Sequence, residues 1–486
     1  WARLAVGSVF FQTGGILKHD IFSYLPTKKL WIDHEWGSGV IFYGMAKYFG
    51  EWGFFILKAG IILLIFLLVI KIIKKQTDKK SAGIFYMLFL GFSLFPGTAS
   101  IIRCQMFTYL FFTLWIYELE RIRLGNKKRL WIFPCTMLLW VNLHGGFLAG
   151  IGLVLIYAVG ELLNRKNPLQ YFKILLMILP VTLINPFGFK LWEFIISASL
   201  MPRPYIPEWQ PISLNGPFQM IMGFKIHILA GFMLFVLLTS ATVVKQLAQK
   251  EKPDWTKYML AAVLLFLSIR HQRHVVFFIL AVSGLFYKQY AELFDPIIAG
   301  IGKKLSGKYR KVWNTAKYGS GYVLLAIIFL CIMPLLYFHL ILNPKEYPYG
   351  SMEFIKQNNI SGNLVTRFSW SSYAFWKLYP NCKILIDGRY EEVYPDSVFN
   401  EAILFSEKKG NWYEVINKYH TDIVILPKNL YTPIDMQMLQ GWDLAYQDFI
   451  SVVLLPKDKI KLFNIVPDYK NPAYLKEDYS RQIRLN

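Results

Sequence analysis

The chain has 486 residues, of which 55% are hydrophobic, while aromatic and charged residues each make up 17%. A soluble domain carries about 25% charged residues, so this composition excludes an ordinary soluble globular protein. The net charge of +22 invites a nucleic-acid reading, but the basic residues sit in short clusters between apolar runs. That is the pattern of the positive-inside rule, and nucleic acid is excluded as a partner.

Residues 1–17 (WARLAVGSVFFQTGGIL) read as one amphipathic piece ending at Gly14-Gly15, without a signal-peptide pattern. An earlier membrane helix is expected ahead of Trp1. Residues 18–36 (KHDIFSYLPTKKLWIDHEW) then gather Asp20, Asp33, His34 and Glu35 among Phe22, Tyr24, Trp31 and Trp36, in a chain poor in acids. Residues 37–50 predict an interfacial helix that ends at Gly50.

The first span is predicted over residues 52–73 and runs into KIIKKQTDKK. These lysines put that side in the cytoplasm and everything before Trp52 outside. Further spans are predicted over 81–96, 105–119, 130–141, 147–163, 171–184, 220–244, 258–269, 275–287 and 319–342, which makes ten. Several fall short of the roughly 20 apolar residues that cross a bilayer. They are kept separate because merging 258–287 into one crossing would put the basic segment 288–318 outside. Short helices meeting at polar turns are tolerated where they line a cavity.

After Asn343-Pro344 the composition becomes polar. NLVTRFS, KILIDGR, DIVILPK and SVVLLPK read as strands, and SMEFIKQ, NWYEVINKY and DMQMLQGW as helical stretches. The expected architecture is an α-helical integral membrane protein with a C-terminal soluble α/β domain. Its parts are an outer-face loop with amphipathic helices (1–51), a transmembrane domain (52–344) and an extracytoplasmic α/β domain (345–486). No inverted repeat suggests a transporter. The four cysteines show neither CxxC nor metal-ligand spacing.

In this topology the unusual polar groups share the outer side: Asp20, Asp33, His34, Glu35, Arg103, Asn142, His144, Glu208, Arg270, Arg273 and His274. A charge at the membrane centre costs roughly 2.5–3.5 kcal/mol on insertion scales, so such groups face a cavity or one another. Asp33 reads equally well as a helix N-cap. Glu35, His34 and Asp20 have the chemistry of a base or of ligands for a divalent metal. Gly145-Gly146 explains a tight turn on its own, but leaves Asn142 and His144 for the cavity. RHQRH lies opposite the basic anchors, so Arg270, Arg273 and His274, with Arg103, suit a phosphate. Trp36 and Glu208 complete the cavity lining. Asp387 and Arg389 in IDGR read either as a strand-turn pair or as part of the site.

DIFSY, WIDHEW, RCQMFTYLFF, LLWVNLHGGFLAG, LINPFG, EWQP, RHQRHVVFF and ILIDGR occur in this order over essentially the whole chain. Together they resemble a widespread group of bacterial multi-spanning GT-C-fold proteins related to protein mannosyltransferases and aminoarabinose transferases. The resemblance implies a glycosyltransferase of the bacterial cytoplasmic (inner) membrane. It would use a polyprenyl-phosphate sugar donor and an acceptor that is a glycan, a lipid or a protein, alone or in a membrane complex. It also implies acids in a pattern like D-x-D-x-W ahead of a Trp-rich helix. Trp1-Ala2-Arg3-Leu4 resembles the start of that helix, so those acids would precede Trp1, with Asp20 and Glu35 as their partners. Two other classes stay open: a lipid-carrier ligase or polymerase of the O-antigen type, and a non-catalytic membrane subunit on the same scaffold.

Overall fold

The computed structural model describes residues 1–77, 86, 90, 91, 93, 94, 102–213, 218–221, 224–227, 229–304, 307, 346–460, 478, 479 and 481–485. The chain divides into two compact units. One comprises Trp1–Phe54, Lys190–Ala198 and Leu340–Asn486, and the other Phe55–Phe189 and Ser199–His339.

The first unit opens with a helix, Ala2–Thr13, closed by Gly14 in the left-handed conformation. Six consecutive residues from Leu4 to Val9 are buried, so this helix is enclosed in its first turns and does not lie on one apolar face. The helix Trp36–Gln76 is broken at Gly50, where φ is 57° and ψ −141°. A side chain is strained in that conformation and glycine is not. The break separates the predicted interfacial helix from the first predicted span.

A five-stranded sheet holds the rest of this unit. Its strands are β3 (Gly362–Val365), β4 (Cys382–Ile384), β5 (Ile423–Pro427), β6 (Trp442–Gln447) and β7 (Ser451–Pro456), following a hairpin of β1 (Phe218–Ile221) and β2 (Phe224–His227) in the other unit. The order is β4-β3-β5-β7-β6, parallel across the first three strands and antiparallel beyond. β5 is buried along its length and β7 up to its last residue, which suits central strands covered on both faces. DMQMLQGW was expected to be helical throughout. The helix is Pro433–Met438, and Trp442 already opens β6. The loop at 22–24 extends the sheet beyond β4: Ser23 pairs in parallel with Ile384, and the amide of Ile384 donates to the Phe22 carbonyl at 2.9 Å.

In the second unit, Gln105–Arg123, Ile132–Leu143, Phe147–Leu163, Leu169–Val181, Trp255–Arg270 and Val275–Leu285 fall on predicted spans. The predicted span 220–244 starts later than expected, because the β1–β2 hairpin precedes the helix Ala230–Ala248. FKIH alternates apolar and polar residues, a period-2 signal masked by the apolar window around it. Most of span 81–96 and all of span 319–342 lie outside the described residues. Two described helices, Trp36–Gln76 and Ala230–Ala248, are long and apolar enough to cross a membrane. A third crossing forms if Gln272–Leu285 and Tyr287–Leu293, bent by 72°, count as one. On Leu169–Val181, Phe172, Leu176 and Leu179 are exposed, as lipid-facing residues are.

Basic loop ends conceal a buried ionic network. Arg123 reaches Glu161 at 2.9 Å, Glu120 at 3.0 Å and Asp254 at 2.8 Å. Tyr157 and Gln76 donate to Glu120 at 2.9 and 2.8 Å, and Thr256 donates to Glu161 at 2.9 Å. The network ties Gln105–Arg123, Phe147–Leu163 and Trp255–Arg270 together.

Candidate functional site

In the first unit the site is built around Arg3. Gly7 and Gly39 let the two N-terminal helices meet backbone to backbone: a Cβ on Gly39 would lie 2.8 Å from the Arg3 carbonyl oxygen. This close crossing sets Arg3 over the segment 33–35. Its guanidinium pairs with Asp33, with Glu35 at 3.6 Å and with Glu392 at 3.4 Å. His34 lies 3.7 Å from Glu35 and 3.3 Å from Glu392. The Trp31 indole donates to Glu392 at 2.9 Å. Asp33 is fully buried, and its carboxylate also accepts the Glu35 amide at 3.1 Å. It therefore caps the turn and carries an ion pair at once. Trp36 opens the following helix, its ring 6.0 Å from Phe10.

Burial pushes the Glu392 carboxyl up to about 7, against the opposing pull of Arg3 and His34. His34, Glu35 and Glu392 offer metal-ligating atoms within 4.8 Å of one another, and no other described residues form such a group. The donor set, one imidazole and two carboxylates, fits a divalent cation. Arg3 shares the same two carboxylates.

Asp20 is not in that group. It pairs with Arg389, which also chelates Asp387 through Nε at 3.0 and 2.8 Å. All three side chains are at most 1% exposed. Phe22, Trp31 and Phe375 pack around the guanidinium at 4.9–5.2 Å. Although burial alone raises the Asp20 carboxyl, Arg389 and the amides of Ser23 and Phe22 hold it below its usual range. Burial pushes Asp387 up despite the same arginine. The arrangement has the form of a clamp between the first loop and the sheet, with Trp31 touching both clusters.

In the second unit the EWQP and RHQRH segments meet. The Gln272 amide donates to the Gln210 carbonyl at 3.1 Å, and the Ile212 amide to the Ile269 carbonyl at 3.1 Å. Glu208 pairs with Arg103, and the Gln105 side chain donates to the Arg273 carbonyl at 3.5 Å. His274 stands 6.0 Å from His271. Arg270 is exposed.

Asn142 donates to the Ile184 carbonyl at 2.9 Å, joining its helix to the NPFG turn. His144 Nδ1 accepts the Gly146 amide at 2.9 Å and lies 2.8 Å from the Thr108 hydroxyl, which itself accepts the Trp140 indole N–H at 2.8 Å. Since Nδ1 is an acceptor here, the neutral ring carries its proton on Nε2.

Sequence reasoning missed Arg3 as a partner of Glu35, Glu392 as a partner of His34, and Trp31 as a partner of Glu392. Arg3 and Glu392 are 389 residues apart, and no local spacing joins them.

No family model matches the chain, and no curated protein matches it. Solved structures do. ArnT from Cupriavidus metallidurans bound to undecaprenyl phosphate is 12% identical, with a TM-score of 0.51 over 95% of this chain and 94% of that one. ArnT in the apo state gives 13% identity and 0.50 over 93% and 92%. The oligosaccharyltransferase AglB from Archaeoglobus fulgidus, in complex with an inhibitory peptide and a dolichol-phosphate, gives 11% identity and 0.50 over 90% of this chain and 66% of that one. Both proteins are GT-C membrane glycosyltransferases. At such identities the likeness is one of fold, and the fold of this chain is that of the GT-C membrane glycosyltransferases.

Proposed function

We propose that this chain is a membrane glycosyltransferase that moves a sugar from a polyprenyl-phosphate-linked donor to an acceptor on the extracytoplasmic face of the bacterial cytoplasmic membrane. The observation that carries this reading is the likeness, over nearly the full length of both chains, to ArnT bound to undecaprenyl phosphate. The side chains support it. Transfer from a phosphate carrier needs a group to handle the acceptor's proton and cations for the departing phosphate. Glu35, His34 and Glu392 take the first role in this reading, and Arg273 and Arg103 the second. Asp20 and Asp387 anchor Arg389. A divalent cation would be held by His34, Glu35 and Glu392.

Glu35→Gln is expected to lower sugar transfer on the order of 100-fold or more while leaving the protein's level in the membrane unchanged. Unchanged transfer removes Glu35 from the chemistry. Repeating the assay with a chelator decides the ion: loss restored by added Mg²⁺ or Mn²⁺ assigns it, and undiminished transfer dismisses it.

In the same reading the chain crosses the membrane ten times in the described and remaining segments together, with residues 1–51 and 345–486 outside. Cysteines placed at the exposed Lys29 and Lys409 should react with an impermeant maleimide from outside only. Reaction only from the cytoplasmic side would overturn this topology.

A further inference from the structure

Trp209 carries two arginines. The guanidinium carbon of Arg203 lies 4.0 Å from the indole centroid and that of Arg273 lies 4.3 Å from it. The two cations therefore stand no farther apart than the sum of those distances. An indole attracts each of them singly, but two fixed positive charges so close repel, and together they create a potential that favours an anion.

The backbone around them is fastened. His271 Nδ1 donates to the Trp209 carbonyl at 2.6 Å, which sets the tryptophan against the turn that bears Arg273. The Gln210 side chain donates to the Arg203 carbonyl at 2.9 Å, which ties the other arginine to the same segment. Glu208, the acid of the segment, faces Arg103.

We propose that Trp209 is a positioning residue that holds Arg203 and Arg273 as a paired site for the phosphate of the lipid-linked donor, and that Arg203 is a further phosphate-binding residue. This rests on the function proposed above. A guanidinium reads phosphate through parallel N–H bonds of about 2.8 Å. Two of them grip one phosphate from two directions and distinguish it from an uncharged polyprenol. The positive rim of the indole adds to the attraction. Lysine at either position would keep the charge but lose the planar fork.

The test is equilibrium binding of undecaprenyl phosphate, undecaprenol and inorganic phosphate to the purified full-length protein in nanodiscs. It compares the wild type with Arg203→Ala, Trp209→Leu and Trp209→Phe. Arg203→Ala and Trp209→Leu should each weaken undecaprenyl phosphate binding about tenfold or more, with undecaprenol binding unmoved. Trp209→Phe should restore most of it, because a phenyl face still seats a guanidinium. Wild-type binding that both Arg203→Ala and Trp209→Leu leave intact overturns this inference and leaves the transferase reading standing. A wild type whose inorganic phosphate binding is weakened by Arg203→Ala and Trp209→Leu, yet which does not prefer undecaprenyl phosphate over undecaprenol, overturns the assignment to the lipid. Binding of neither phosphate overturns both readings. Should Trp209→Leu not fold, Arg203→Ala and Arg203→Lys carry the comparison, with the lysine variant expected between alanine and wild type.

Discussion

Arg389→Ala should destabilise the first unit by about 3–5 kcal/mol, the range for breaking a buried ion pair by removing one partner. The size follows from what is left behind. Asp20 and Asp387 are at most 1% exposed and share this one guanidinium. Without it both carboxyls stay buried with no cation, and they must take up protons or be reached by water. The three rings around Arg389 also lose their packing partner. The loop at 22–24 should then detach from Ile384, because that pairing is the edge of the sheet. Limited proteolysis of purified protein would show new cleavage around residues 20–30. A control separates charge from packing: Arg389→Ala combined with Asp20→Asn and Asp387→Asn should recover part of the loss. If the single variant melts like the wild type, the clamp is not structural and the buried triad needs another explanation.

Arg123→Ala should have a comparable effect on the second unit, again about 3–5 kcal/mol. Arg123 is the common partner of Glu120, Glu161 and Asp254. The Glu120 and Glu161 side chains are 4% and 3% exposed, so neither can turn to solvent when the cation is lost. Three helices meet at this point, and the defect should spread through all of them. Reduced abundance in the membrane and faster aggregation on heating would be the measured signs. Adding Glu120→Gln and Glu161→Gln should reverse part of the loss, since two buried charges go with the third. Equal abundance and equal heat resistance of Arg123→Ala would show that the network bears no weight.

The apolar periodicity carried most of the helical layout, because membrane spans announce themselves by length and by the lysines at their ends. Gly50 was legible for the same reason: a glycine between an aromatic-rich helix and an apolar run marks a break that the backbone then takes. EWQP and RHQRH could be singled out by their charge and rings, but their meeting could not. They lie about 60 positions apart and are joined by main-chain bonds and by the side chains of His271, Gln272 and Arg273, across a separation that no local spacing reveals. The buried network around Arg123 was hidden by its own local form. Glu118 with Arg121 and Glu120 with Arg123 read as ordinary i,i+3 pairs of a solvated helix end. Only burial distinguishes them. Asp20 stood out as an acid in an acid-poor chain, yet its partner is 369 residues away. The sequence did contain the Asp387–Arg389 pair, and the structure adds a third member to it. Glu35 and His34 stood out in the sequence beside Asp20, but Asp20 lies in the Arg389 cluster, and the charged partners of Glu35 and His34 are Arg3 and Glu392, both outside the segment that holds them.

In the proposed reaction, sugar leaves a polyprenyl phosphate on this protein. The reaction is tested most directly by incubating the purified full-length protein in lipid with a panel of polyprenyl-phosphate sugars labelled in the sugar. Release of free polyprenyl phosphate is then followed together with the appearance of label on an acceptor extracted from the same membranes. Both are expected with at least one donor, in equal amounts, and both should fall on the order of 100-fold or more with Glu35→Gln. No release from any donor, by protein shown to be folded by its melting curve, would contradict the proposed reaction and leave a GT-C scaffold serving as a non-catalytic membrane subunit.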